Sequence, residues 1–195
     1  MRKLAFILIF SLVTSLYCGA DRKLTVAETV LEAAQKKAKK EHKGIFLVFG
    51  ASWCGPCKRL DMFLNEPTNR SVIEKYFVVT RLTVAEQYGG NPKLNTPGGE
   101  KLFARFGGPG NSVPFVVLLN SKADLIVNSN RPIGNDKLDN IGYPEEPLEI
   151  LWFVSMLKEA APAMSDTETQ TVGEWLKKSA SHHPKPEMRR LPSSS

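Results

Sequence analysis

The chain has 195 residues, 42% hydrophobic and 24% charged, which allows one globular domain with extensions and excludes both a large multidomain enzyme and a wholly disordered chain. Three cysteines are too few to staple a fold of this size, so they point to chemistry rather than to a scaffold. The net charge of +6 is largely local: residues 21–43 hold seven basic and four acidic side chains, including Lys36, Lys37, Lys39 and Lys40. No aromatic residues are interleaved to stack on bases, so this run reads as a solvated helix face and nucleic acid is not an expected partner.

Residues 1–20 begin with Arg2 and Lys3, continue through an apolar run and end in Cys18-Gly19-Ala20, the pattern of a cleavable secretory signal. The run is shorter than the roughly 20 apolar residues of a bilayer span, so a stable membrane anchor is not expected. Lipidation at Cys18 is a lesser alternative, because Tyr17 stands where a small residue is wanted. Cleavage after Ala20 would leave Cys54 and Cys57 as the only cysteines, in an oxidising periplasmic or secreted compartment.

The mature chain starts with an amphipathic helix over residues 25–42, with Val26, Val30, Ala33, Ala34 and Ala38 as its apolar face, stopping near Gly44. Residues 45–49 (Ile-Phe-Leu-Val-Phe) have the content of a central strand buried on both faces. Trp53-Cys54-Gly55-Pro56-Cys57-Lys58 follows and leads into a helix over 58–65. A further helical turn or two covers 69–75, and 76–82 alternates as a second inner strand. Residues 88–112 lose periodicity in favour of Gly and Pro, around a short helix at 100–106; so long a loop suggests a substrate-side or partner-side insertion. Strands at 114–120 and 123–128 form a hairpin through Asn120-Ser121-Lys122. Helices follow over 148–160, with Ile150, Leu151, Phe153, Val154 and Leu157 as a packing stripe, and over 165–178, where Ser165 and Glu168 have capping-box spacing and Val172, Trp175 and Leu176 share a face. From Ser179 a polar tail is expected to fray. The expected organisation is a signal at 1–20, one domain at 21–160, a helical extension at 161–179 and a disordered tail at 180–195.

The cysteine pair carries the chemistry. Two residues of spacing allow a small disulfide ring, and a helix starting there places unpaired N–H groups and the positive dipole end beside the Cys54 sulfur. Those groups favour thiolate, the nucleophile of disulfide exchange, so Cys54 should attack a disulfide and Cys57 should resolve the mixed disulfide. Gly55 would permit a tight turn, Pro56 would fix the start of the helix, and Trp53 would offer an aromatic surface beside the sulfur. A zinc site needs four ligands, and only His42, His182 and His183 remain to complete one. A purely structural disulfide, and Trp53 as ordinary core, are the remaining plain alternatives.

The hexapeptide at 53–58, set between a strand and a helix and followed by Val113-Pro114 at the head of an apolar strand, resembles the thioredoxin superfamily. The resemblance spans 45–128 and extends loosely to the last helices. It implies an α/β thioredoxin-like fold, a central mixed sheet flanked by helices, with the Gly/Pro-rich insertion before the cis-proline strand and extra C-terminal helices. It also implies thiol-disulfide oxidoreductase activity without a bound cofactor, on protein disulfide substrates, with a thiol-disulfide electron donor in the membrane. Pro114 would be the cis-proline facing the disulfide, and the edge at Val113 would pair with an extended substrate; a trans proline at a strand start is the plain alternative. The chain departs from the pattern at Val48, where thioredoxins carry a buried aspartate, and at Phe115, where they commonly have threonine. These departures and the leader fit exported bacterial thioredoxin-like proteins, and the Gly55-Pro56 pair resembles the reducing end of the family, so a reductase of protein disulfides is expected, with an isomerase, a reductant for cytochrome maturation and a non-catalytic binding or chaperone module with a structural disulfide as alternatives.

Overall fold

A computed structural model describes residues 23–182. The expected signal at 1–20 and most of the tail at 180–195 lie outside the described residues.

Helix α1 (Val26–Glu41) is opened by a capping box, Thr25 accepting from the Glu28 N–H while Glu28 accepts from Thr25. Its buried face is Ala27, Leu31, Ala34 and Ala38, which corrects the expected face: Val26 is half exposed and Ala33 is exposed. Both stripes satisfy the helical period, and the three alanines suit the side that lies against a sheet.

β1 (Gly44–Gly50) sits between β2 (Phe77–Thr83), parallel to it, and β3 (Phe115–Leu119), antiparallel; β4 (Leu125–Asn128) completes the order β2-β1-β3-β4. The expectation of an inner position for 76–82 is corrected, since β2 is an edge strand whose Arg81 is exposed. A charged side chain there discourages pairing with another chain. Successive side chains of a strand point to opposite faces, so β1 and β3 feed two cores. Ile45, Leu47, Phe49, Phe115, Val117 and Leu119 face α1 and α4 (Gly99–Arg105), while Phe46, Val48, Val116 and Leu118 face the other helices.

α2 (Gly55–Asn65) begins three residues earlier than expected, directly at the cysteine loop. Glu66-Pro67 ends it and starts α3 (Pro67–Tyr76), where the Glu66 carboxylate accepts the Asn69 N–H at 2.7 Å. That bond holds the Glu66 pKa below its ordinary value.

The short helix expected at 100–106 is α4, whose Leu102 and Phe103, with the following Phe106, are buried. The Gly- and Pro-rich stretch before it also holds a 3-10 turn at Pro92–Leu94, and another at Glu86–Tyr88 leads into it. Phe103 packs edge-on to Phe49 and Phe115.

A second sheet, β5 (Asn130–Gly134) with β6 (Lys137–Asn140), has no counterpart among the sequence expectations. Asn135 and Asp136 both have positive φ, the turn chemistry that marks a tight hairpin. α5 (Pro147–Ala160) buries Ile150, Phe153, Met156 and Leu157, whereas Leu151 is exposed. α6 (Asp166–His182) starts at a capping box in which Ser165 and Glu168 exchange bonds, and it runs past the expected stop at 178. Ala180 favours helix, no proline intervenes before Pro184, and the Ser179 Oγ lies 3.0 Å from the Tyr143 hydroxyl.

Candidate functional site

Cys54 and Cys57 are joined by a disulfide of 2.07 Å, with their Cα atoms 5.2 Å apart. Cys54 is the N-cap of α2, and its sulfur accepts the Cys57 N–H at 3.0 Å. Pro56 lies in the first turn, where its missing N–H costs nothing. In the reduced protein the same N–H and the helix dipole would favour a thiolate at Cys54. Cys54 is 1% and Cys57 7% exposed, so exposure does not single out Cys54; its capping position does. A Cβ at Gly55 would meet nothing, and its φ is not left-handed, so neither contact nor backbone conformation requires glycine there.

Trp53 is 37% exposed and is not core. Its ring nitrogen donates to the Ala85 carbonyl at 2.9 Å, and a Cβ on Gly89 would lie 3.0 Å from the ring. Ala85 is buried with φ of 61°, a left-handed conformation that costs an alanine about 1 kcal/mol and persists because its surroundings hold it. One of those holds is the bond from its N–H to Glu100 at 2.7 Å. The next residue, Glu86, is fully buried; its carboxylate accepts from the Ser52 N–H at 2.5 Å and the Ser52 hydroxyl at 2.8 Å. The segment after β2 therefore fastens the chain just before Cys54 at two successive residues.

On the other side, the carbonyl oxygen of Val113 is 3.4 Å from the Cys54 sulfur. In the disulfide that sulfur has no hydrogen, so this is a contact rather than a hydrogen bond. Val113–Pro114 is cis, and Pro114 is buried. The structure thus gathers Trp53, Cys54, Gly55, Pro56, Cys57, Val113 and Pro114 at one end of the sheet. Beside Cys57 opens a cleft of about 310 Å³, lined by Val48, Ser52, Asp61, Arg81 and Glu86 among others. Asp61 and Arg81 pair across its rim at 2.7 Å. Val48 presents an apolar wall where the resemblance would place an acid; Glu86 is the buried acid among the described residues, and no spacing in the sequence marks it. No group of three or more His, Cys, Asp or Glu that could hold a metal occurs among the described residues, nor does a helix long and apolar enough to cross a membrane.

Residues 26–121 match the thioredoxin-like family model. Among solved structures, the chain is similar to a disulphide isomerase from Xylella fastidiosa (23% identity, 84% of this chain and 98% of that one, TM-score 0.47). It is also similar to the oxidised C-terminal domain of DsbD from Neisseria meningitidis (19%, 68% and 97%, TM-score 0.42) and to a thioredoxin from Thermus thermophilus (24%, 50% and 68%, TM-score 0.39). No curated protein sequence matches. The family match, the mixed sheet with its flanking helices and the cysteine pair at the start of α2 agree: residues 26–121 belong to the thioredoxin-like family, with the Cys-x-x-Cys centre of a thiol-disulfide oxidoreductase.

Proposed function

We propose that the protein is an exported reductase of protein disulfides. The observation that carries this reading is the Cys54 sulfur at the N-cap of α2, 3.0 Å from the Cys57 N–H and within bonding reach of the Cys57 sulfur. The Cys54 thiolate attacks a substrate disulfide, forming a mixed disulfide and expelling one substrate thiolate. Cys57 then loses its proton and attacks Cys54, which releases the second substrate thiolate and leaves the enzyme as its disulfide. Two electrons pass to the substrate, and a membrane thiol donor returns two to the enzyme. Trp53 and the Val113 backbone flank the sulfur as the substrate-binding surface, and export follows from the leader pattern of residues 1–20.

The direction of flow rests on the Gly-Pro dipeptide between the cysteines, which resembles the reducing end of the superfamily. Equilibration with glutathione is expected to give a potential near the thioredoxin value of about −270 mV. A potential of about −120 mV, that of the most oxidising periplasmic enzymes, overturns the reductase reading. Cys57→Ser should accumulate mixed disulfides through Cys54; if Cys54→Ser accumulates them instead, the two roles are exchanged. Absence of insulin reduction by the chain lacking residues 1–20 makes the disulfide structural.

A further inference from the structure

Val113 owes its place to a side chain far from it in sequence. Nδ2 of Asn140, the last residue of β6, lies 3.0 Å from the Pro114 carbonyl, 3.1 Å from the Ser112 carbonyl and 3.0 Å from the Ser112 hydroxyl, so its two N–H groups are shared among three acceptors. One amide thus brackets Val113 from both sides. The orientation of the amide is fixed by its neighbours: Oδ1 accepts the Gly142 N–H at 3.2 Å and the Ser129 hydroxyl at 2.7 Å, while two carbonyls can only accept from Nδ2. Ser129 is fully buried and accepts the Val116 N–H at 2.9 Å, so the network reaches the start of β3.

The same hairpin region ties down the stretch leading to Val113. Asn128 donates to the Phe106 carbonyl at 2.9 Å and Asn130 to the Gly107 carbonyl at 2.8 Å. Gly107 and Gly110 both have positive φ, and such a backbone holds one path only where something outside it fixes the ends. Pairing of β3 with β1 starts at Phe115 opposite Phe49, so the Val113 backbone lies beyond the ladder and is available to an extended chain.

We propose that Asn140 is a positioning residue that sets recognition of polypeptide disulfides by holding the Val113 backbone at the Cys54 sulfur. It touches neither substrate nor sulfur; it orders the main-chain edge beside them, so that a polypeptide does not bear the entropic cost of ordering that edge on binding. A small disulfide that lacks a peptide backbone makes little use of the edge. This proposal rests on the function proposed above.

The test compares the wild type, Asn140→Ala and Asn140→Asp in reduction of insulin and of a small aromatic disulfide. Asn140→Ala is expected to lower the ratio of kcat/KM for insulin to that for the small disulfide roughly tenfold, chiefly through KM, as loss of one well-made hydrogen-bond set does. Asn140→Asp, which cannot donate to the carbonyls, should behave like alanine, and Asn140→Gln should recover part of the ratio. The pH profile of Cys54 alkylation in the reduced protein should be the same in all four. A lower melting temperature with an unchanged ratio makes Asn140 merely structural, and a parallel fall for both substrates moves its effect to the sulfur; either result overturns the proposal. If Asn140→Ala does not fold, Ser129→Ala must lower the ratio about twofold in the same direction, and an unchanged ratio there also overturns it. Wild-type inactivity on both substrates would instead refute the function on which the proposal rests.

Discussion

Glu86 and Ser52 are separated by 34 residues, and nothing in the sequence relates them, yet both side-chain oxygens of the one are used by the other. Cys54, Cys57 and Trp53 are legible because their chemistry is written in a contiguous hexapeptide, and Pro114 because it heads an apolar strand. Glu86 and Asn140 are polar residues in Gly- and Asn-rich surroundings, and only the folded backbone gives them partners. The pairing makes a definite demand, since Ser52 offers two donors and a carboxylate two acceptors. Glu86→Leu removes both acceptors and leaves the Ser52 N–H, which can only donate, without a partner in a position with no exposed surface. It should cost about 1–3 kcal/mol of stability, read from urea unfolding with an unchanged slope. A variant as stable as the wild type would show that the carboxylate is not needed to hold the loop. Gly90 is part of the same constraint, because a Cβ there would overlap the Glu86 carboxylate and lie 3.1 Å from both the Ser52 hydroxyl and the Trp53 ring. The glycine is required by this close approach rather than by its φ.

Elements were legible to the degree that one pattern decided them. β1 and β3 are apolar at every position, which leaves burial on both faces as the only reading, and the capping residues Thr25 and Ser165 mark their helix starts. α1 was ambiguous because two apolar stripes run along it, and β2 because alternation is shared by edge and inner strands. The β5–β6 hairpin was hidden by its composition: its side chains are largely exposed, so no apolar period marks it, and only the turn at 134–136 carries a signal. Between elements, α3 is joined to α6 by Glu168, whose carboxylate accepts from the Lys75 amine at 2.7 Å and the Tyr76 hydroxyl at 2.8 Å. The Lys75 ammonium first, then the Ser165 N–H and Tyr76, hold the Glu168 pKa at about 2, against an ordinary 4.5. A carboxylate whose folded pKa is depressed stabilises the fold fully above the ordinary value and loses that contribution as pH falls through the window between 4.5 and about 2. Glu168→Gln should therefore melt below the wild type at pH 7, and the gap should close across that window. A gap that persists at the acid end would assign the effect to neutral hydrogen bonds. The pair is solvated, so added salt should narrow the gap at pH 7 as well.

At the scale of the molecule, the alternation along β1 and β3 divides the apolar interior into two cores, and the C-terminal helix belongs to one of them. Val172 and Leu176 have no exposed surface and share a core with Phe46, Phe63 and Phe153, while the ring of Trp175 stands edge-on to Phe63 at 5.4 Å. A helix appended to a finished domain would leave that domain's surface polar beneath it, whereas Val172 and Leu176 belong to one apolar cluster with Phe63, Ile150, Phe153 and Leu157. Val172 and Leu176 of α6 thus share a core with residues that the sequence pattern assigns to 21–160. Ending the chain after Ala160 should expose this cluster and replace cooperative unfolding by a broad transition, with far-UV dichroism retained, near-UV dichroism lost and binding of a hydrophobic dye. Leu176→Ala, which keeps the helix, should cost about 2–5 kcal/mol and leave the transition cooperative. A truncated chain that still unfolds sharply with little loss of stability would support the division at 160. The disulfide should reach the same state in either case, because the residues that set it lie at the far end of α2 and in the Val113 segment. Formation of the Cys54–Cys57 bond in a truncated but loosened chain would separate the local chemistry of the cysteine loop from the global packing that presents it to a substrate.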